Sequence, residues 1–137
     1  MERLQKNQGV IEEFRTNGGV CTGFLEGSPV VLVSMVGAKT GRVLCSPLVY
    51  STDGDDVVVI ASNGGGPQHP NWYHNLVANP MVTVEVGADK WEGTAQLIEG
   101  DERRRLYDAQ SALLDYFVDD EESAAGRVIP VFRITKR

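Results

Sequence analysis

Histidine and cysteine are scarce in this chain, two of each in 137 residues. Cys21 and Cys45 are too few and too casually spaced for a disulfide framework or a zinc site, which fits a cytoplasmic protein. His69 and His74 stand five apart, roughly 140° around a helix, so they cannot share a metal as an i, i+4 pair could. No metal is expected, and the bland reading has His69 ending a loop and His74 on an exposed helical face. No histidine adjoins either cysteine in sequence, so a thiol nucleophile would need tertiary proximity alone. Long apolar runs are also missing. Even "VVLV" in "PVVLVSMVG" is far short of the roughly 20 residues of a membrane span. The opening "MERLQKNQGVIEEFR" bears charges where a signal peptide would be apolar, so no spanning segment and no export are expected. Positive charge is short too: 13 Lys and Arg against 19 Asp and Glu, a net charge of -6, which argues against nucleic acid as a partner.

What is present describes one globular domain over residues 1–137. With 42 % hydrophobic and 23 % charged residues, a chain of this length buries roughly 65–70 % of its unfolded surface. Leu4, Ile11 and Phe14 are spaced as one face of an N-terminal helix within 1–18, stopped by "NGG". "PVVLVSMVG" (29–37) reads as a strand buried on both faces, and "VLCSPLVYS" (43–51) as a second, where Pro47 implies an edge or a bulge. "VVVIAS" (57–62) completes a meander after the turn "TDGDD". A short helix over 70–79 begins at Pro70, with Trp72 and Leu76 one turn apart. "MVTVEV" (81–86) and "KWEGTAQLI" (90–98) form a hairpin. "DERRRLYDAQSALLDYF" (101–117) reads as a long helix with Leu106, Ala109, Leu113 and Phe117 on one face. "VIPVFRITK" (128–136) is the last strand. The expectation is an α+β fold: a six-stranded, mainly antiparallel barrel over 29–98 and 128–136, with about three helices.

Two segments carry chemistry. Positions 16–89 hold only two cations, Lys39 and Arg42, both in "GAKTGR" with Thr40 between them. The segment is a charged hairpin tip on one reading and a phosphate- or carboxylate-binding loop on the other. "ASNGGGPQHPNWYHNLVANP" (61–80) follows a strand and precedes a helix. Its glycines match neither a dinucleotide fingerprint nor a Walker loop. They are accounted for equally by a flexible turn and by close backbone approach to a ligand. Trp72 and Tyr73 beside them could wall a planar ring or simply pack in the core.

Taken in order, "GAKTGR…SPLVY", "DGDDVVVIASNGGGPQHPNWYHNLVANPMVTVEVG" and "RVIPVF" resemble the deazaflavin-dependent nitroreductase family across roughly residues 29–133. The resemblance implies a split β-barrel reductase of actinobacterial type. Its cofactor would be coenzyme F-420, an 8-hydroxy-5-deazaflavin with a phosphate and an oligoglutamate tail, and it would need no metal. It also implies contacts from Ala38, Lys39, Thr40 and Arg42 to phosphate and carboxylates, and from Ile60, Ala61, Ser62 and Asn63 to the ring edge. Pro47, Leu48 and Val49 would line the groove, with Asn71, Trp72, Tyr73, Asn75 and Phe117 flanking it. The deazaflavin would supply hydride to a small planar electrophile, an enone, quinone or nitroaromatic. Ser62 or a tyrosine would offer a hydrogen bond, and solvent or Tyr116 the final proton, so no acid–base dyad is required. The chain departs from its relatives in carrying Leu44 where an arginine is common and Asn63 where many have lysine. Two rival readings use the same barrel, an FMN- or haem-binding protein and a non-catalytic lipid or small-ligand carrier. The sequence is silent on oligomeric state.

Overall fold

The computed structural model describes residues 2–124 and 126–137; the side chains of residues 2–7 and 24, Leu4 included, lie outside the description. Six strands, β1 (Val30–Val36), β2 (Val43–Asp53), β3 (Asp56–Ile60), β4 (Met81–Val86), β5 (Asp89–Ile98) and β6 (Val131–Lys136), close a barrel in the order β1-β2-β3-β6-β5-β4. Every pairing is antiparallel. Four helices decorate it: α1 (Glu2–Thr16), α2 (Asn71–Ala78), α3 (Gly100–Leu113) and α4 (Tyr116–Ser123).

β1 is apolar on both faces because both are covered. Val31, Val33 and Met35 point into the barrel with Val57, Val59, Val84 and Phe132, while Val30 and Leu32 point outward against Ile11 and Phe14 of α1. α1 stops as the sequence implies: Gly18 is left-handed (φ 62) and Gly19 N–H donates to the Phe14 carbonyl. α2 plugs the barrel with Leu76, 1 % exposed.

Pro47 is accommodated by an edge. β2 pairs with β1 from Val43 to Val49, but with β3 only from Tyr50 to Asp53. The first half of β2 therefore has no strand on its second side, and a residue without an N–H costs nothing there. This unpaired edge is the split in the barrel.

The expected long helix over 101–117 is two helices. The chain leaves α3 at Leu114, whose backbone is extended (φ -137, ψ 93), and Tyr116 and Phe117 open α4 instead of ending α3. Ala109 and Leu113 face solvent, and the buried face is Leu106, Tyr107 and Gln110. The cause is tertiary: buried Tyr107 donates its hydroxyl to the Phe117 carbonyl at 2.6 Å, and its ring meets Phe117 edge-on. α4 is folded back over Val58, Ile60 and Val131 on the barrel's outer face. Arg133 of β6 fixes α3 to the same face through Asp53 and Glu102, both at 2.7 Å.

Removing that one hydroxyl tests the fold-back. Tyr107→Phe removes a buried hydrogen bond between α3 and α4 and is expected to cost about 0.5–1.5 kcal/mol in urea unfolding. An unchanged midpoint would show that packing alone holds α4.

Candidate functional site

A groove of about 780 Å³ runs along the unpaired edge of β2. This is within the usual size range for ligand clefts. One wall is β2 itself, Val43 to Leu48; the other is Asn63, Pro70, Asn71, Trp72 and Asn75, and Gln8 and Ile11 of α1 close one end. Of the residues expected at a cofactor site, the structure thus brings together Pro47, Leu48, Asn63, Asn71, Trp72 and Asn75. Trp72 is braced from behind by Phe132, 5.9 Å between ring centroids.

The cation loop is tied to this wall. Asn75 Oδ1 accepts the Ala38 N–H at 2.9 Å, which sets the β1–β2 turn beside the middle of α2. The turn is rigid: Gly37 and Arg42 pair through Gly37 N–H and the Arg42 carbonyl (2.7 Å), and Thr40 Oγ1 accepts the Arg42 N–H. A Cβ on Gly37 would lie 2.7 Å from that hydroxyl. Ala38, Lys39, Thr40 and Arg42 are all exposed, and among the described residues neither Lys39 nor Arg42 forms an ion pair.

Other expected site residues are placed elsewhere. Ile60 and Ala61 are buried; the Ala61 N–H donates to the Pro130 carbonyl and its own carbonyl accepts from Arg127. Ser62 is 8 % exposed, and its carbonyl accepts from both Gly65 N–H and Arg127. Asn63 is then the one residue of 60–63 that lines the groove. Val49 packs with the outer-face core, and Phe117 is buried in it. Tyr73 turns away from Trp72 onto Phe132 and His69 and lines a second cavity of about 310 Å³. Tyr116 is a partly exposed ring stacked on Phe117; burial raises its hydroxyl's pKa, and a hydrogen bond with Ser28 opposes that.

Cys45 also lines the groove, but burial pushes its thiol upward, away from the thiolate a nucleophile needs. Among the described residues no cluster of His, Cys, Asp or Glu could hold a metal, and no helix is long and apolar enough to cross a membrane.

Two residues outside the expected site set, Arg127 and His69, organise the glycine segment. Arg127 donates Nε to the Gly66 carbonyl (3.0 Å), Nη1 to Ala61 (3.2 Å) and Nη2 to Ser62 (2.6 Å). Its Nη1 also lies 2.7 Å from His69 Nδ1, so His69 is no bystander. The "RVIPVF" stretch was the only available signal for Arg127, and nothing in it points 60 residues upstream. Inside this clasp Asn63, Gly64 and Gly65 are all left-handed (φ 51, 64 and 77), and Asn63 Nδ2 donates to the Gln68 carbonyl. Gly65 is required twice over, because its Cβ would also lie 2.7 Å from the Asp120 carbonyl and 2.8 Å from Ser123 Cβ of α4.

A family profile described as F420H(2)-dependent quinone reductase matches residues 7–136. An F420H(2)-dependent quinone reductase of Mycobacterium tuberculosis is 34 % identical over 130 residues, 89 % of this chain and 83 % of the relative. A solved F420-H2 dependent reductase superposes with a TM-score of 0.73 at 33 % identity, covering 78 % of this chain and 94 % of the other. Another solved relative, described as a domain-swapped dimer, gives 0.74 at 30 % identity over 98 % of both chains. The heme storage protein of Vibrio cholerae shares the fold alone, at 14 % identity, a TM-score of 0.57, and 96 % and 90 % coverage.

The two neighbouring glycines separate conformation from space. Gly64→Ala meets nothing within 4 Å and is expected to cost about 1–2 kcal/mol for a left-handed side chain. Gly65→Ala adds a clash with α4 and is expected to cost about 1–3 kcal/mol more in thermal unfolding. Equal losses would mean that α4 does not bear on the segment.

Proposed function

The chain belongs to the F420H(2)-dependent quinone reductase family, and from that membership we propose that the groove along β2 holds the deazaflavin of coenzyme F-420 and presents it to a planar electrophile. The chain is an oxidoreductase dependent on this coenzyme. The observation that supports the assignment of the groove is the Ala38–Asn75 hydrogen bond, which ties the turn bearing the only cations of positions 16–89 to a lining residue of a cleft walled by an indole and a proline-bearing strand edge.

The residues fit the group. Lys39 and Arg42, exposed and without ion-pair partners among the described residues, are free to meet phosphate and tail carboxylates, and the Thr40 hydroxyl stiffens the loop between them. Pro47 and Leu48 give one apolar wall for a flat ring and Trp72 the other; Asn63 and Asn71 offer amides to its polar edge. When bound, the coenzyme supplies the hydride. The chain's own part is to hold the two reactants face to face and to exclude water. Ser62 beside Asn63 is assigned the hydrogen bond to the acceptor's oxygen, and Tyr116, held by Ser28, the proton. Both assignments rest on the resemblance; Ser62 also adjoins Asn63 of the groove wall, whereas Tyr116 opens α4 and is not among the lining residues. Burial raises the Tyr116 hydroxyl's pKa, so the phenol is protonated at neutral pH.

The acceptor is proposed to be a quinone, with enones and nitroaromatics as further candidates. Leu44 and Val43, both exposed at the groove, make its mouth apolar where relatives place a cation, which suits an uncharged ring.

Lys39→Ala is expected to weaken binding of F-420 at least about tenfold, roughly 1.5–3 kcal/mol, with thermal stability nearly unchanged. Equal affinity would reduce the loop to a hairpin tip. Stopped-flow oxidation of the reduced coenzyme by menadione, a coumarin-type enone and a nitroimidazole ranks the acceptors; no oxidation by the quinone would remove it from first place.

A further inference from the structure

We propose that Arg127 is the positioning residue of the cofactor wall, and that through His69 it makes coenzyme affinity depend on pH; this rests on the reading of the groove given above. Arg127 lies between α4 and β6 and lines no part of the groove. Its planar fork spans the ends of the glycine segment, holding Ala61 and Ser62 on one side and Gly66 on the other. Between those points the backbone is left-handed at three successive residues, two of them glycines with no preference of their own for that shape. Asn63, the residue of this segment that faces the groove, takes its direction from the clasp and from its bond to Gln68. A lysine could supply the charge but not three donors in one plane.

His69 is the clasp's titratable member. A guanidinium can only donate, so Nδ1 accepts from Nη1 and the imidazole's proton sits on Nε2. The charged and titratable groups around the ring are Arg127 from the C-terminal segment, Tyr73 and His74 from α2 at 4.3 and 6.3 Å between centroids, and Glu99 and Arg103 across the smaller cavity. Burial, then Arg127, then His74 hold His69 below the ordinary imidazole range. The sign follows. A depressed folded value means that the neutral ring is the form the native clasp uses, so the clasp is complete above about pH 6.5 and is lost as pH falls through the lower folded value. Protonated Nδ1 would aim a proton and a positive charge at Nη1.

The test compares F-420 dissociation constants of the wild-type protein, Arg127→Lys, Arg127→Gln and His69→Gln between about pH 5 and pH 8, together with NMR titration of the His69 ring without ligand. Wild-type affinity should fall several-fold toward the acid end, and His69→Gln should show a flat profile. Arg127→Gln should bind about tenfold more weakly at neutral pH and raise the His69 midpoint, and Arg127→Lys, which keeps the charge, should not restore binding. Wild-type affinity in Arg127→Lys, or an acid limb that persists in His69→Gln, would overturn the proposal. If Arg127→Gln does not fold, the lysine and His69 variants decide the matter. A wild-type protein that ignores F-420 at every pH would refute the groove reading instead, and the ligand-free His69 midpoints would still test the clasp.

Discussion

The guanidinium of Arg127 donates to the carbonyls of Ala61, Ser62 and Gly66, and this fork lets a glycine-rich segment hold a single shape. Glycine loses more conformational freedom on folding than any other residue. A segment of the type "SNGGG" would not keep a side chain on target by its own propensities. Here it is fixed from both sides: Arg127 closes its ends, and α4 presses so closely on Gly65 that no Cβ fits. α4 is in turn folded back by the Tyr107 hydroxyl. The groove wall therefore depends on elements that never touch the groove.

The opposite wall arises from an absence. β3 ends at Ile60 and the chain departs into the glycine segment, so the first half of β2 keeps a free edge. An exposed edge is usually a liability. Here Pro47 removes a donor from it, and the cleft occupies it. The charge distribution follows the same division. Arg15, Arg103, Arg104, Arg105 and Arg133 are engaged with carboxylates and serve the scaffold. Lys39 and Arg42 are held out on a stiff turn, without such partners among the described residues. An acidic protein thereby keeps a local cationic turn bonded to Asn75 of the cleft, and a net charge of -6 is compatible with an anionic cofactor.

The strands were legible because β-branched runs and turn residues agree with the pattern of pairing, and Pro47 correctly indicated an edge. The two-sided apolar pattern of β1 already implied cover on both faces. The break between α3 and α4 was not legible. Ala109, Leu113 and Phe117 continue a helical stripe, and only the tertiary bond from Tyr107 to Phe117 ends it; the buried polar residue that replaces Leu113 in the interface, Gln110, is paired with Ser51 from 59 positions away. At the site, the motif marked Asn63, Trp72 and Asn75, which line the groove. Local spacing could not reveal that Ala61 and Ser62 turn their carbonyls to Arg127, or that His69 joins them, because those partners meet only after β6 has closed the barrel.

The chain has two tryptophans, and they stand in different places: Trp72 lines the groove, while Trp91 of β5 lies beside Lys136 on the barrel. Their indole N–H signals, assigned with a Trp91→Phe variant, report directly on where coenzyme F-420 binds. The account predicts that titrating the oxidised coenzyme shifts the Trp72 signal to saturation and leaves Trp91 in place. A stationary Trp72, or a Trp91 that moves equally, would contradict it.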